Sequence, residues 1–116
     1  MATEEDVKIQ ELLKYCKSVP ISALRASAKT QISNNLDIEG YVIEEYSNDW
    51  YGLAEIIGYS GPEIRKFERA DSPTTTLLDN WVTREDFSPY VETLIKYLLE
   101  IQRLDVIIVC EKNISK

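Results

Sequence analysis

Short amphipathic segments, separated by signals that start and stop helices, fill residues 49–109 of this chain. In the clearest of them, Trp50, Leu53, Ala54 and Ile57 follow the spacing i, i+3, i+4, i+7, which places their side chains on one face of an α-helix. Helices this short are marginal in water on their own, so several must pack together to bury their apolar faces. The pattern predicts an all-α bundle.

Glycine and serine mark the boundaries of the first two of these helices. Gly58 directly follows the Trp50 stretch and is typical of a residue that ends a helix. Ser60 and Glu63 have the spacing of a capping box, in which each side chain satisfies an exposed N–H group near the other residue. We therefore predict two consecutive short helices joined by a tight turn.

Two serine–proline pairs, Ser72-Pro73 and Ser88-Pro89, mark the next helix starts. Serine is a favoured N-cap, and proline at the first helical position loses no hydrogen bond. We therefore expect helices that begin near Pro73 and Pro89. An earlier helix is predicted from about residue 22 to residue 36, because apolar residues recur there at steps of four.

Three segments are less regular. Residues 106–109 are four β-branched residues, which favour a strand by propensity, but we interpret them as part of a short buried helix because no pairing strand is evident. Residues 37–48 contain more apolar side chains than a plain loop, and their conformation stays open. We expect residues 1–18 to be an N-terminal arm or an extra helix, 19–112 to be the folded domain, and 113–116 to be a tail.

Composition argues against several functions. The net charge is −7, from 20 acidic and 13 basic residues, so nucleic acid is an unfavourable partner. Histidine is absent, which removes the commonest general base and metal ligand. Cys16 and Cys110 show neither metal-binding nor redox spacing. No apolar run reaches membrane-spanning length. We expect a cytoplasmic protein that is not an enzyme, binds no cofactor or metal and does not insert into membranes.

A DNA-binding helix-turn-helix is the alternative with the best local support. Residues 53–60 and 62–69 read as helix, glycine turn and capped second helix, with Arg65, Lys66 and Arg69 on the second helix. The same helix carries Glu63 and Glu68, however, and the whole chain is acidic. The charge argument therefore disfavours this alternative.

The spaced anchors resemble those of a death domain. They are Asp49-Trp50, Leu53-Ala54-Glu55, Glu63-Ile64-Arg65, Leu77-Leu78-Asp79-Asn80-Trp81 and Arg103-Leu104-Asp105-Val106. Within that superfamily, the segments Val19-Pro20-Ile21-Ser22-Ala23-Leu24 and Ile32-Ser33 make the chain most similar to the myeloid differentiation primary response adaptors of Toll-like and interleukin receptor signalling. The longer segment at 37–48 and the acidic balance point to an invertebrate member.

The resemblance implies a six-helix antiparallel Greek-key bundle and a signalling adaptor without catalytic activity. Such a module binds the death domain of a downstream kinase or adaptor and assembles into oligomers within an innate-immune Toll-type receptor complex. Receptor contact is then expected through a domain outside this chain. The alternative within the same pathway is the death domain of the partner kinase or adaptor itself.

The exposed charges are the candidate protein-interaction residues. Three cations on one short helix and a mixed acidic group further along the chain suit a head-to-tail contact between domains. The candidates are Glu63, Arg65, Lys66, Arg69, Asp79, Arg84, Glu85 and Asp86. Ordinary solvated charges are the competing interpretation for any one of them. The residues expected in the core are Trp50, Leu53, Leu77, Leu78, Trp81, Leu94 and Leu98.

Overall fold

The computed structural model describes residues 4–43 and 45–114. This part of the chain contains seven α-helices and one short hairpin. Helix α1 spans Glu4–Tyr15, α2 Ala26–Leu36, α3 Trp50–Ile57, α4 Gly61–Glu68, α5 Pro73–Trp81, α6 Val91–Glu100 and α7 Leu104–Ile114. Strands β1 (Val42–Ile43) and β2 (Tyr46–Ser47) lie between α2 and α3, and 3-10 turns span Ile21–Ala23 and Glu85–Phe87.

The predicted all-α fold is confirmed. Helices α2 to α7 are the six expected helices, and α1 is the additional N-terminal helix. The β-branched residues 106–109 lie inside α7, where Val106 and Ile107 are buried, so packing overrides their strand propensity. Helix α7 continues to Ile114, two residues into the segment expected to be a tail. None of the described helices is both long enough and apolar enough to cross a bilayer.

Helix α2 begins later than the predicted position near residue 22. A 3-10 turn occupies residues 21–23, and Leu24 and Arg25 then adopt extended backbone angles, with ψ of 137° and 153°. The α-helix therefore starts only at Ala26. The predicted four-residue spacing still holds inside it, because Ala28 and Ile32 are fully buried.

The serine–proline signal is confirmed at α5 and wrong at α6. At α5, the Ser72 hydroxyl accepts the Thr75 N–H at 3.3 Å. Ser88 instead has a left-handed φ of 51° and ends a 3-10 turn, and α6 begins only at Val91. The reason is a tertiary contact, since the Val91 N–H donates to the carbonyl of Val19 at 2.8 Å. Pairing with a distant segment keeps Pro89 outside the helix.

The core lies where α2, α3, α5, α6 and α7 meet. All seven residues expected there are buried, and Trp81 has no exposed surface. Its indole N–H donates to the Phe87 carbonyl at 2.9 Å, so this large side chain leaves no unsatisfied polar group. Its ring stacks with Tyr97 at a centroid distance of 6.2 Å. Helix α1 joins the same core through Leu12 at its inner face.

Residues 37–43 and 45–49, called the α2–α3 linker below, contain a hairpin that the sequence pattern does not predict. Val42 pairs with Ser47 and Ile43 with Tyr46 in antiparallel register. Tyr46 packs against the core, which explains the apolar residue at this one position of the segment. The linker is therefore folded onto α3 and is not a plain loop.

Candidate protein-interaction surfaces

Both cysteines are structural. Cys16 and Cys110 are free thiols with no exposed surface. Burial raises the pKa of both, and the pKa of Cys110 reaches about 12. Each thiol is therefore protonated near neutral pH and lacks the thiolate that nucleophilic chemistry requires. Among the described residues, no three potential ligands of the histidine, cysteine or carboxylate type come together at a metal-binding distance.

Three exposed cations, Arg65, Lys66 and Arg69, form what is called the α4 cationic face below. Helix α4 is held by Ile64 and Phe67, which are buried on its inner side. The sequence thus alternates anchors and charges at a helical period, which turns the cations toward solvent. Within residues 4–43 and 45–114, no carboxylate forms an ion pair with any of the three.

Glu63, a fourth candidate on α4, is committed to the fold. It forms the predicted capping box with Ser60, and its carboxylate accepts the Ser60 N–H at 3.2 Å and the Ser60 hydroxyl at 2.9 Å. These hydrogen bonds, with a further contribution from Arg84, lower the pKa of Glu63. The same carboxylate lies 3.2 Å from the Arg84 guanidinium. Its charge is therefore balanced inside the domain.

Arg84 connects the start of α4 to the 3-10 turn at Glu85–Phe87. Its guanidinium holds Asp86 through two hydrogen bonds, of 3.1 and 2.9 Å. This pairing is the main reason why the pKa of Asp86 lies below its ordinary value. The guanidinium carbon also lies 4.1 Å from the Phe87 ring centroid, a cation–π contact. The ion pair between Glu63 and Arg84 thus connects the predicted cationic helix with the predicted acidic group.

Asp79 and Glu85 are exposed acidic residues at the end of α5 and in the following turn. No ion pair holds either of them in the described part of the chain. Of the eight candidates, the structure therefore leaves five charges available to a partner. Three of these are the α4 cationic face, and two are these carboxylates.

The structure also contains a groove that none of the eight predicted interaction residues identifies except through the neighbouring helix α4. A groove of about 560 Å³ runs between the α2–α3 linker, the start of α3, the end of α4 and the start of α5. It is called the acidic groove below. Its described lining contains no lysine or arginine. Its carboxylates are Asp37, Glu39, Asp49 and Glu68, and its aromatic side chains are Tyr41, Trp50 and Tyr51.

Two of the groove carboxylates serve the fold. Asp49 is the N-cap of α3 and accepts the Tyr51 N–H at 3.0 Å, while Asp37 accepts the Thr74 N–H at 2.8 Å. Both therefore help to fix the walls of the groove. Glu39 and Glu68 are exposed and lack ion pairs within the described chain. They are the groove charges available to a ligand.

Exposed apolar side chains surround these carboxylates. Tyr41 is 71% exposed, Val42 68% and Ile38 68%. Large apolar residues this exposed, gathered on one short segment, often mark a contact surface. The sequence signal that could have revealed it is the apolar run at 41–43, which has no helical partner.

Comparison with protein families agrees with this architecture. The death domain family model matches residues 41–114, which is more than half of the chain. The match begins in the hairpin and includes α3 to α7, and thus covers most of the acidic groove and all of the α4 cationic face. No solved structure matches the chain. Death domains are non-catalytic modules of signalling that typically bind other death domains. The seven helices are consistent with the all-α fold of this family, and the chain belongs to the death domain family.

Proposed function

We propose that this protein is a signalling adaptor module that binds other death domains head to tail, through the α4 cationic face of one domain and the acidic groove of the next. The observation that supports the proposal concerns the charges of a single copy. In the described part of the chain, Arg65, Lys66 and Arg69 form no ion pair, and no lysine or arginine lines the groove. A second domain supplies what each surface lacks.

The chemistry of the two surfaces is complementary. Lysine and arginine side chains are attracted both to carboxylates and to the faces of aromatic rings. Glu39 and Glu68 offer carboxylates, and the exposed Tyr41 ring offers an aromatic face. The apolar surface of the linker adds burial that does not depend on salt. The charges set orientation and partner choice, and the apolar side chains add affinity.

A contact between two different patches has a consequence for assembly. After two domains have joined, one cationic face and one groove remain unoccupied, so further copies can add. The product is a ring or an open helix instead of a closed dimer. Assembly of this type suits an adaptor that gathers several partner domains at a receptor.

We further propose that the pathway is Toll-type innate immune signalling in the cytoplasm. This proposal rests on the resemblance of segments 19–24 and 32–33 to the myeloid differentiation primary response adaptors. The partner would then be the death domain of a downstream kinase or adaptor. The alternative assignment is the death domain of that kinase or adaptor itself. Residues 19–112 are the proposed interaction domain, with α1 as an accessory helix.

Charge reversal tests the contact directly, with a second copy of the chain as the probe. Replacing Lys66 by glutamate, or Glu39 by lysine, should weaken self-association at least about tenfold, because each change places like charges opposite each other. Association of the wild-type protein should also weaken as salt is raised, since these charges are partly exposed. Sedimentation velocity at several salt concentrations measures both effects.

Two matched variants control for unspecific effects of charge. Lys17→Glu and Glu100→Lys reverse exposed charges outside both surfaces and should leave association unchanged. All variants should keep wild-type circular dichroism and melting temperature, because exposed substitutions barely alter folding. A loss of association in Glu85→Lys but not in Glu39→Lys would move the acceptor to the 3-10 turn and overturn the assignment of the groove.

A further inference from the structure

Arg103 is a partly buried cation that does not line the acidic groove, although its charge is close enough to Asp49 and Tyr41 in the groove to interact with them. It lies immediately before α7, and its side chain is only 14% exposed. Its Nη1 donates to the carbonyl of Asn48 at 2.7 Å, and its Nη2 donates to the carbonyl of Asn35 at 3.3 Å. Asn35 lies in the last turn of α2, just before the α2–α3 linker, and Asn48 lies near the far end of the linker. One guanidinium therefore bridges the end of α2 and the end of the hairpin.

Asp105 fixes this guanidinium from the other side. Its carboxylate accepts from Nε of Arg103 at 3.0 Å and from Nη2 at 2.9 Å. A guanidinium is planar and presents its donors in a fixed fork, so holding one edge aims the remaining donors at the two carbonyls. The pairing also raises the pKa of Arg103, which keeps it charged. The first turn of α7 is thus linked rigidly to the linker.

The linker is attached to the bundle at both ends, because the Asp37 carboxylate accepts from the Thr74 N–H at 2.8 Å and the Asp49 carboxylate accepts from the Tyr51 N–H at 3.0 Å. Between these ends the hairpin is closed by its own hydrogen bonds, from the Tyr41 N–H to the Asn48 side chain at 2.9 Å and from the Asn48 N–H to the Tyr41 carbonyl at 3.0 Å. Such bonds keep the hairpin closed but do not fix its position on the bundle. Three contacts position it there: the packing of Tyr46 on the core, the close approach of the Ser47 backbone to Gly52, and the hydrogen bond from Arg103 to the Asn48 carbonyl.

We infer that Arg103 is a positioning residue for the acidic groove: by tying the end of α2 and the end of the α2–α3 linker to the start of α7, it helps to hold Glu39 and Tyr41 in the arrangement that receives a partner. The inference rests on the proposed function, because it gives the groove its binding role. It adds that binding depends on a side chain that is not part of the groove lining.

Arg103→Lys is the critical variant because it keeps the charge and loses the fork. We expect amide exchange at Tyr41 and Asn48 to accelerate about tenfold or more, the scale that follows from losing a hydrogen bond from a charged donor. Amides in the middle of α6, such as that of Leu94, should keep their wild-type rates. Arg103→Gln should match Arg103→Lys, and Asp105→Asn should show a smaller change in the same direction.

Self-association is the second measurement. It would stay at the wild-type level if Arg103 only stabilised the linker and had no effect on binding. Arg103→Lys should weaken it about tenfold, to the same extent as Arg103→Gln, because the lost geometry matters and not the lost charge. Arg25→Lys, an equivalent change at an exposed arginine, should behave like the wild type in both measurements.

The two arms of the experiment separate this inference from the proposed function. Wild-type exchange and wild-type association in Arg103→Lys would overturn the positioning role, whether or not the groove binds. Faster exchange at Tyr41 with unchanged association would also overturn it, provided that Glu39→Lys weakens association as expected. If Glu39→Lys and Lys66→Glu both associate normally, the proposed function itself fails.

Discussion

At the scale of single residues, the same residue type serves opposite purposes according to its surroundings. Arg84 and Arg103 are held by Asp86 and Asp105 at 2.9 Å each, and their charges are used to connect segments of the domain. Arg65 is exposed and has no such partner within the described chain. Composition alone could not separate these roles, because the distinction depends on which carboxylates the fold brings near. It explains why Arg84 appears among the predicted contact residues although its charge is already neutralised.

Trp81 provides the residue-scale test of the fold. Trp81→Ala should lower the free energy of unfolding by about 3–5 kcal/mol, because it removes a large, fully buried ring. Its stacking with Tyr97 and its hydrogen bond to Phe87 would be lost as well. Urea denaturation followed by circular dichroism measures the change.

Tyr41→Ala is the matched control for that measurement, since the ring of Tyr41 is 71% exposed. Its unfolding free energy should stay within about 0.5 kcal/mol of the wild-type value. A Trp81→Ala domain as stable as the wild type would mean that this tryptophan contributes nothing to the core.

At the scale of secondary-structure elements, local signals were sufficient only where tertiary contacts agreed with them. The end of α3 was predictable because Gly58 adopts a left-handed φ of 118°, a conformation that favours glycine. The start of α6 was not, because residues 89–91 pair with residues 19–21. The hairpin was also hidden, since residues 37–49 contain no dipeptide typical of a hairpin turn, such as Asn-Gly. The acidic groove was not predicted either, because the hairpin forms part of its wall.

Gly52 tests how tightly the linker packs against α3. A Cβ atom at this position would collide with the backbone carbonyl of Ser47, and backbone atoms cannot move aside as a flexible side chain can. Gly52→Ala should therefore destabilise the domain by about 1–3 kcal/mol, the range typical of overpacking, although alanine favours helices. Thermal unfolding monitored by circular dichroism gives the difference.

Gly61→Ala supplies a control of opposite sign. Nothing lies within 4 Å of the added Cβ at Gly61, so the substitution should be neutral or stabilising by up to about 1 kcal/mol. If Gly52→Ala is equally well tolerated, the linker does not rest on α3 as described.

At the scale of the whole molecule, the central claim is that one domain carries two different and complementary surfaces. The family and the bundle could be predicted from spaced apolar anchors, because such anchors define how helices pack. The position of the second surface could not, because it combines residues from the linker, α3, α4 and α5. Only the folded chain brings Glu39 beside Glu68. A domain with two such surfaces should polymerise when both are intact and stop when either is disabled.

Mixing two half-disabled variants tests this claim most directly. One variant neutralises the α4 cationic face (Arg65→Gln with Lys66→Gln), and the other neutralises the acidic groove (Glu39→Gln with Glu68→Gln). Light scattering after size exclusion should find each variant monomeric alone. The mixture should form a heterodimer of twice the 13.4 kDa monomer mass, because only one intact contact remains. The wild type should assemble beyond that size. A mixture that stays monomeric, or single variants that assemble like the wild type, would contradict the head-to-tail account.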